Sequence, residues 1–152
     1  MYPNAAWPPR SVRGILAVAA VSSSCGINVS INVSGVKSGY RHLDSAADYG
    51  NEIQVGDGIR QVLGQGICRR EDLWITSKLW NTFHRPEHVL PACEKSLQDL
   101  GIDYLDLYLI HFPISLKYVD FDTRYPPEWI FDPTAVNPLS LIHISEPTRL
   151  LS

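Results

Sequence analysis

Three apolar runs, each ending on a titratable side chain and each separated from the next by a helix-patterned segment, constrain this chain more than any other feature. The runs are Tyr40 to Asp44, Leu73 to Lys78 and Tyr104 to His111. The last reads Tyr-Leu-Asp-Leu-Tyr-Leu-Ile-His, nearly continuous rather than alternating, which predicts a strand covered on both faces in a parallel sheet. Between the first two runs, Val55, Ile59, Val62 and Leu63 fall at helical spacing and stop at Gly64 and Gly66. Between the second and third, Val89, Leu90, Cys93, Leu97 and Leu100 form a similar stripe closed by Gly101. Pro86 or Pro91 suits the first helical position, where a missing N–H costs little. Strand, helix, strand, helix, strand predicts two consecutive βαβ units and an α/β fold.

The spacing of the charged ends carries the functional information. Asp44 and Lys78 are 34 residues apart and Lys78 and His111 are 33 apart, each about one βαβ repeat. Parallel strands share one C-terminal edge, the site-bearing edge of α/β barrels and open α/β sheets, so the three residues converge there. Singly, each has an ordinary structural role: an aspartate caps a turn, a lysine covers apolar surface, a histidine bonds a carbonyl. No such role requires all three in register on one edge.

Tyr49, five residues past Asp44, stands in the loop leaving the first strand and reaches the same edge. A phenol, with a reference pKa near 10, needs a neighbouring cation to serve as a proton donor at neutral pH. An ammonium about 4 Å away, at an effective dielectric of about 20, supplies roughly 4 kcal/mol, enough to bring a phenol into the range of a general acid. In this arrangement Asp44 holds and aims Lys78, and His111 hydrogen-bonds a substrate oxygen. A carbonyl between Tyr49 and His111 is polarised and protonated while something else attacks its carbon. No side chain supplies that attacker, which points to a hydride cofactor.

Composition narrows the class further. With 152 residues, 45% hydrophobic and 19% charged, and 13 basic against 16 acidic groups, the chain reads as globular, with no charge block to attract nucleic acid or an anionic membrane. No apolar run approaches the ~18 residues of a membrane span. Cys25, Cys68 and Cys93 are odd in number and irregular in spacing, against a disulfide framework or paired-thiolate zinc site and in keeping with reduced thiols in the cytoplasm. Arg10 and Arg13, the apolar stretch Ile15 to Val21 and the serines after it have a weak secretory look, outweighed by the intracellular chemistry. Only under that reading would the Asn-Val-Ser triplets at Asn28 and Asn32 be glycosylation acceptors. Pro126, Pro127, Pro133, Pro138 and Pro147 break up the end of the chain, and no repeat of solenoid length occurs. The length falls short of the ~250 residues usual for a closed eight-stranded β/α barrel.

The run Gly39-Tyr-Arg-His-Leu-Asp-Ser-Ala-Ala-Asp-Tyr-Gly-Asn-Glu52-Ile-Gln-Val-Gly56 resembles the hallmark segment of the aldo-keto reductases. Ile75-Thr-Ser-Lys-Leu-Trp80 and Leu107-Tyr-Leu-Ile-His-Phe-Pro113 are similar to that family's next two active-site strands, and Ser96 to Asp106 resembles the helix and turn between them. The family's catalytic residues fall on Asp44, Tyr49, Lys78 and His111, the four reached from spacing. The resemblance implies a (β/α)8 TIM barrel, here partial and truncated to its early βα units. It implies NADPH-dependent reduction of a small carbonyl substrate, an aldehyde or ketone, with Tyr49 as proton donor. The stretch after His111, with Tyr125-Pro-Pro-Glu-Trp129, looks most like the aldose or xylose reductase branch. Trp80 and Phe112 are then candidates for an apolar pocket wall, or plain packing.

The resemblance covers about residues 36–133, roughly the first half of a family member. Residues 1–35 show no recognisable opening strand. Residues 36–138 are read as the truncated barrel, and 139–152 resemble a translated sequencing-library adapter, read as an assembly scar. Cofactor-binding residues are unassigned apart from the Asp44 and Lys78 edge. No metal site is expected: His143 and Glu146 lie in the adapter-like tail, and His84 and His88 flank Pro86 without the His-Glu-x-x-His pattern. A short-chain dehydrogenase needs its Tyr and Lys four apart on one helix and a Gly-x-Gly-x-x-Gly loop, which neither Gly56-Asp-Gly58 nor Gly64-Gln-Gly66 completes. A non-catalytic cofactor-sensing or interaction subunit on the same barrel is the alternative, and the 152 residues alone are expected to be inactive. The preferred sugar and the oligomeric state are not encoded in these motifs.

Overall fold

The computed structural model describes residues 15–17, 25–123, 130–132 and 134. Residues 1–14, the segment Tyr125 to Trp129, the prolines at 133, 138 and 147, and the tail 139–152 with His143 and Glu146 lie outside the described residues. The elements in chain order are β1 (Ile15–Ala17), α1 (Cys25–Lys37), β2 (His42–Asp44), α2 (Glu52–Gly64), β3 (Trp74–Leu79), α3 (Pro86–Leu100) and β4 (Leu107–Ile110). The four strands form one sheet in the order β1-β2-β3-β4, every pair parallel, as consecutive βα units of a barrel require.

Both predicted βαβ units are present. Asp44 lies opposite Thr76 and Lys78 opposite Leu109, and the ladder continues past β4 through His111 N–H donating to the Leu79 carbonyl at 3.1 Å. α3 starts with Pro86 at its first position, while Pro91 sits inside the helix. It ends at Gly101, whose φ of 64° lets its N–H fold back onto the last-turn carbonyls. α2 runs through Gly64, and the left-handed position is at Gly66, φ 66°.

Period-two alternation sends Leu43, Ile75 and Leu79 to the helix-covered face, where they are buried. Leu43 and Ile75 join Val33, Val36, Val55, Ile59, Val62, Leu73 and Leu100 in the main core, while Leu79 packs with Trp80, Phe83, Val89, Ala92 and Leu116. The α3 stripe differs from the sequence expectation: Leu90 is exposed, and the buried line is Val89, Ala92, Ser96 and Leu100. β4 also differs. Leu107 and Leu109 are 38% and 41% exposed, so among the described residues this strand is covered on the helix side only.

Residues 1–35 do contain an element pair, β1 and α1, which the sequence does not announce. The tandem Ile-Asn-Val-Ser alternates at period two and masks the helical spacing of Val29, Val33 and Val36, which pack into the main core. Asn32, on this helix, is fully buried, which removes it as a surface glycosylation acceptor. No helix among the described residues is long and apolar enough to cross a membrane.

Gly56 and Gly58 are helix-crossing residues rather than parts of a phosphate loop. A Cβ on Gly58 would stand 2.8 Å from the Asn32 Cβ of α1, and one on Gly56 would collide with the Leu100 backbone carbonyl at the end of α3. Gly56→Ala is therefore expected to lower the unfolding free energy by about 1–3 kcal/mol. Gly64→Ala, with nothing within 4 Å of the added methyl, is expected to raise it by about 0.4–1 kcal/mol. Urea denaturation of the two variants beside the parent chain measures both.

Candidate active site

The strand ends deliver the predicted residues to one edge. Asp44 closes β2, Lys78 is the penultimate residue of β3, and His111 follows β4. Tyr49 ends a single 3-10 turn, Ala47–Tyr49, and the next residue, Gly50, takes the left-handed conformation (φ 74°) that turns the chain into α2.

Lys78 is the hub. Its ammonium donates to the Asp44 carboxylate, to the Ser45 backbone carbonyl at 2.9 Å and to the Tyr49 hydroxyl at 3.3 Å. An ammonium has three N–H bonds, so all three donors are matched. The Lys78 side chain is 12% exposed and that of Asp44 29%, so the ion pair is largely withdrawn from water but open on the Asp44 side. Ser45 enters through its backbone, which no side-chain pattern reveals.

His111 stands across from Tyr49, the two rings edge to face with centroids 5.7 Å apart. Phe112 stacks on His111 at 4.4 Å, and Trp80 meets the His111 ring edge-on at 5.5 Å. The structure thus gathers all four acid–base candidates and both aromatic candidates, with Trp80 buried and Phe112 exposed. Burial lowers the His111 pKa, with Lys78 acting in the same sense and Asp48 and Asp44 opposing. The imidazole is therefore neutral at pH 7, and its Nδ1 is buried without a hydrogen-bond partner among the described residues. A cavity walled by residues of α2 and α3, Glu52, Ala92 and Ser96 among them, together with Trp80, Phe83 and Tyr108, has no member of the tetrad in its lining.

Two further residues share the tetrad's face of the sheet. His42, two residues before Asp44, exchanges a 2.9 Å hydrogen bond with Thr76, two residues before Lys78. Strand parity would have found both. Among the described residues no group of three or more His, Cys, Asp or Glu side chains is placed to hold a metal. His84 is buried just before α3, and His88 stacks on Tyr118 with centroids 3.9 Å apart.

Residues 33–132 match the model of the aldo/keto reductase family. The chain belongs to this family. Among its relatives is the "Probable NAD(P)H-dependent D-xylose reductase xyl1" of Arthroderma otae, 61% identical over 94 residues that make up 62% of this chain and 29% of that protein. The NAD(P)H-dependent D-xylose reductase of Pyricularia oryzae is 55% identical over 97 residues, 64% of this chain and 30% of that protein. Among solved structures, the aldose reductase of Schistosoma japonicum superposes with a TM-score of 0.69 at 40% identity, covering 77% of this chain and 39% of that one. The Bombyx mori aldo-keto reductase in complex with NADP gives 0.69 at 37%, covering 85% and 40%. The chain thus spans about three-tenths of the length of these curated relatives. The architecture of this chain is accordingly a partial TIM barrel.

Burial also sets how the stability of this aldo-keto reductase segment depends on pH. The His84 pKa is pushed down to about 4 by burial, against 6.5 for a free imidazole. Below 6.5 the unfolded chain takes up a proton that the folded chain refuses, so stability present above that pH is lost progressively as the pH falls towards 4. Urea unfolding at pH 7 and pH 4.5 is expected to show a smaller loss in His84→Gln than in the parent chain.

Proposed function

We propose that this chain carries the proton-transfer side of an NADPH-dependent reductase that converts aldehydes or ketones to alcohols, with open-chain aldoses such as D-xylose as substrates. The observation that carries the proposal is the Lys78 ammonium, held by Asp44 and the Ser45 carbonyl with its remaining donor on the Tyr49 hydroxyl. The xylose and aldose reductase relatives support the substrate class, and NADP in the Bombyx mori complex supports the cofactor.

In this reading the substrate carbonyl oxygen lies between Tyr49 and His111. Neutral His111 donates a hydrogen bond that orients and polarises it, and Tyr49 Oη gives its proton to the same oxygen. Lys78 stabilises the phenolate left behind, and Asp44 keeps Lys78 in place. The donor set polarises and protonates but contains no group able to reduce a carbon. The nicotinamide supplies that chemistry when bound, as a hydride to the carbonyl carbon. Asp44 and Lys78 form the accessible edge against which it would rest. Trp80 and Phe112 form the apolar wall beside His111, where they exclude water from the reacting oxygen. The free thiols of Cys68 and Cys93 fit a cytoplasmic protein.

For the 152 residues alone we expect no turnover, because the inner face of the sheet leaves Leu107 and Leu109 exposed and the edge of β4 unpaired among the described residues. Monomeric chain that oxidises NADPH in the presence of D-xylose would overturn that expectation. In a full-length reductase containing residues 33–132, Tyr49→Phe is expected to lower kcat by at least about 10²-fold while NADPH still binds, as followed by quenching of protein fluorescence. Undiminished turnover would refute the assignment of Tyr49.

A further inference from the structure

On the opposite face of the sheet from Lys78 lies a buried carboxylate that the tetrad chemistry does not use. Glu52 is the first residue of α2 and is 3% exposed. The fully buried Ser77 donates to its Oε1 at 2.6 Å, and Ser96 of α3 donates to its Oε2 at 3.0 Å. A carboxylate so far from water needs strong hydrogen bonds to persist, and here two hydroxyls and the N-terminal end of a helix favour it. The phenol of Tyr108, which feels Glu52, is pushed well above its ordinary range by burial, with Cys93 and Glu52 adding to the effect.

The places of these residues in the chain give the cluster its meaning. Glu52 follows Tyr49 by three residues, and Ser77 immediately precedes Lys78. Tyr49 and Lys78 sit on separate segments, 29 residues apart, and meet at 3.3 Å. The 3-10 turn that carries Tyr49 has no buried residue of its own. The Glu52 to Ser77 bond joins the start of α2 to β3 within a few residues of both partners. We propose that Glu52 is a positioning residue for the Tyr49–Lys78 pair: through Ser77 it locks the Tyr49 turn onto the strand that carries Lys78. This rests on the proton-transfer reading above, in which a misplacement of ~1 Å can cost about 10²-fold in rate.

The two serines separate this role from plain stabilisation. Ser77 ties Glu52 to the strand that bears Lys78, whereas Ser96 ties it to α3, whose seam with α2 is also set by the close approach at Gly56. The probe is the 13Cζ resonance of Tyr49 in the 152-residue chain, assigned with Tyr49→Phe, and Lys78→Met gives the displacement produced by a lost ammonium contact. Ser77→Ala and Glu52→Ala are expected to move the resonance in the same direction as Lys78→Met and by a comparable amount. Glu52→Gln, which keeps hydrogen-bonding capacity, is expected to restore it. Ser96→Ala is expected to lower the Tm and leave the resonance in place. A folded Ser77→Ala chain with an unmoved Tyr49 resonance would overturn the positioning role alone, as would Ser96→Ala moving it equally. A resonance indifferent to Lys78→Met would overturn the positioning role together with the proton-transfer reading.

Discussion

The parallel register of β3 between β2 and β4 is the constraint on which both the core and the site depend. In that register Leu43 lies opposite Ile75 and Leu79 opposite Ile110 on the helix-covered face, while Asp44 lies opposite Thr76 and Lys78 opposite Leu109 on the other. A slip of one residue would exchange the faces. Lys78 would then bring an ammonium to the helix-covered face beside Leu43, while Ile75 and Leu79 would be turned to the open face and Asp44 would lose its partner. Burial of an unpaired charge costs several kcal/mol, so the apolar pattern and the ion pair select the same register independently. The gathering of the four candidate residues on one edge is therefore a consequence of how the core packs.

The two faces of the sheet divide polar groups by purpose. On the open face a row of His42, Thr76, Asp44 and Lys78 leads up to the edge where Tyr49 and His111 meet. On the helix face Ser77 and Ser96 are deeply buried and both donate to Glu52. α2 and α3 come close enough to enclose them because Gly56 leaves no side chain at their crossing. At the other end of the strands, Asp106 accepts from the Ile75 N–H and pairs with Arg70, whose guanidinium lies 3.9 Å over the Tyr104 ring. That end holds structure together, and the C-terminal end is left free for chemistry.

The strands, α2, α3 and the placement of the four candidate residues on one edge were legible in the sequence because each carries its signal locally, as an apolar run, a helical stripe, a titratable residue at a strand end or a tyrosine in the loop just after one. β1 and α1 were not. Three residues of β1 are too few to show a period, and the Val29, Val33, Val36 stripe is hidden by alternation. Leu90 falls outside the buried stripe of α3, which runs through Val89, Ala92, Ser96 and Leu100 and so includes a serine that no apolar pattern would pick. The role of Glu52 is invisible along the chain, since its partners stand 25 and 44 residues away and neither is charged. Likewise the coverage of both faces read from β4 assumes neighbours that are not among the described residues.

In the proposed reaction, electrostatics gives the two hydrogen-bond donors of the site different parts. Lys78 is already a cation in contact with Tyr49, and a second cation on His111 would be opposed by burial and by Lys78 itself. Asp48 and Asp44 pull the other way without prevailing, so the ring stays neutral at pH 7. A neutral imidazole donates through one nitrogen only. It can orient a carbonyl oxygen, but its proton is far harder to remove than that of an imidazolium. Under the proposed reaction the proton that ends on the product is therefore best supplied by Tyr49, whose conjugate base is the one that Lys78 would stabilise. Exchanging the roles of histidine and tyrosine would require the charge of Lys78 to move as well, and the bonds to Asp44 and Ser45 hold it on the tyrosine side.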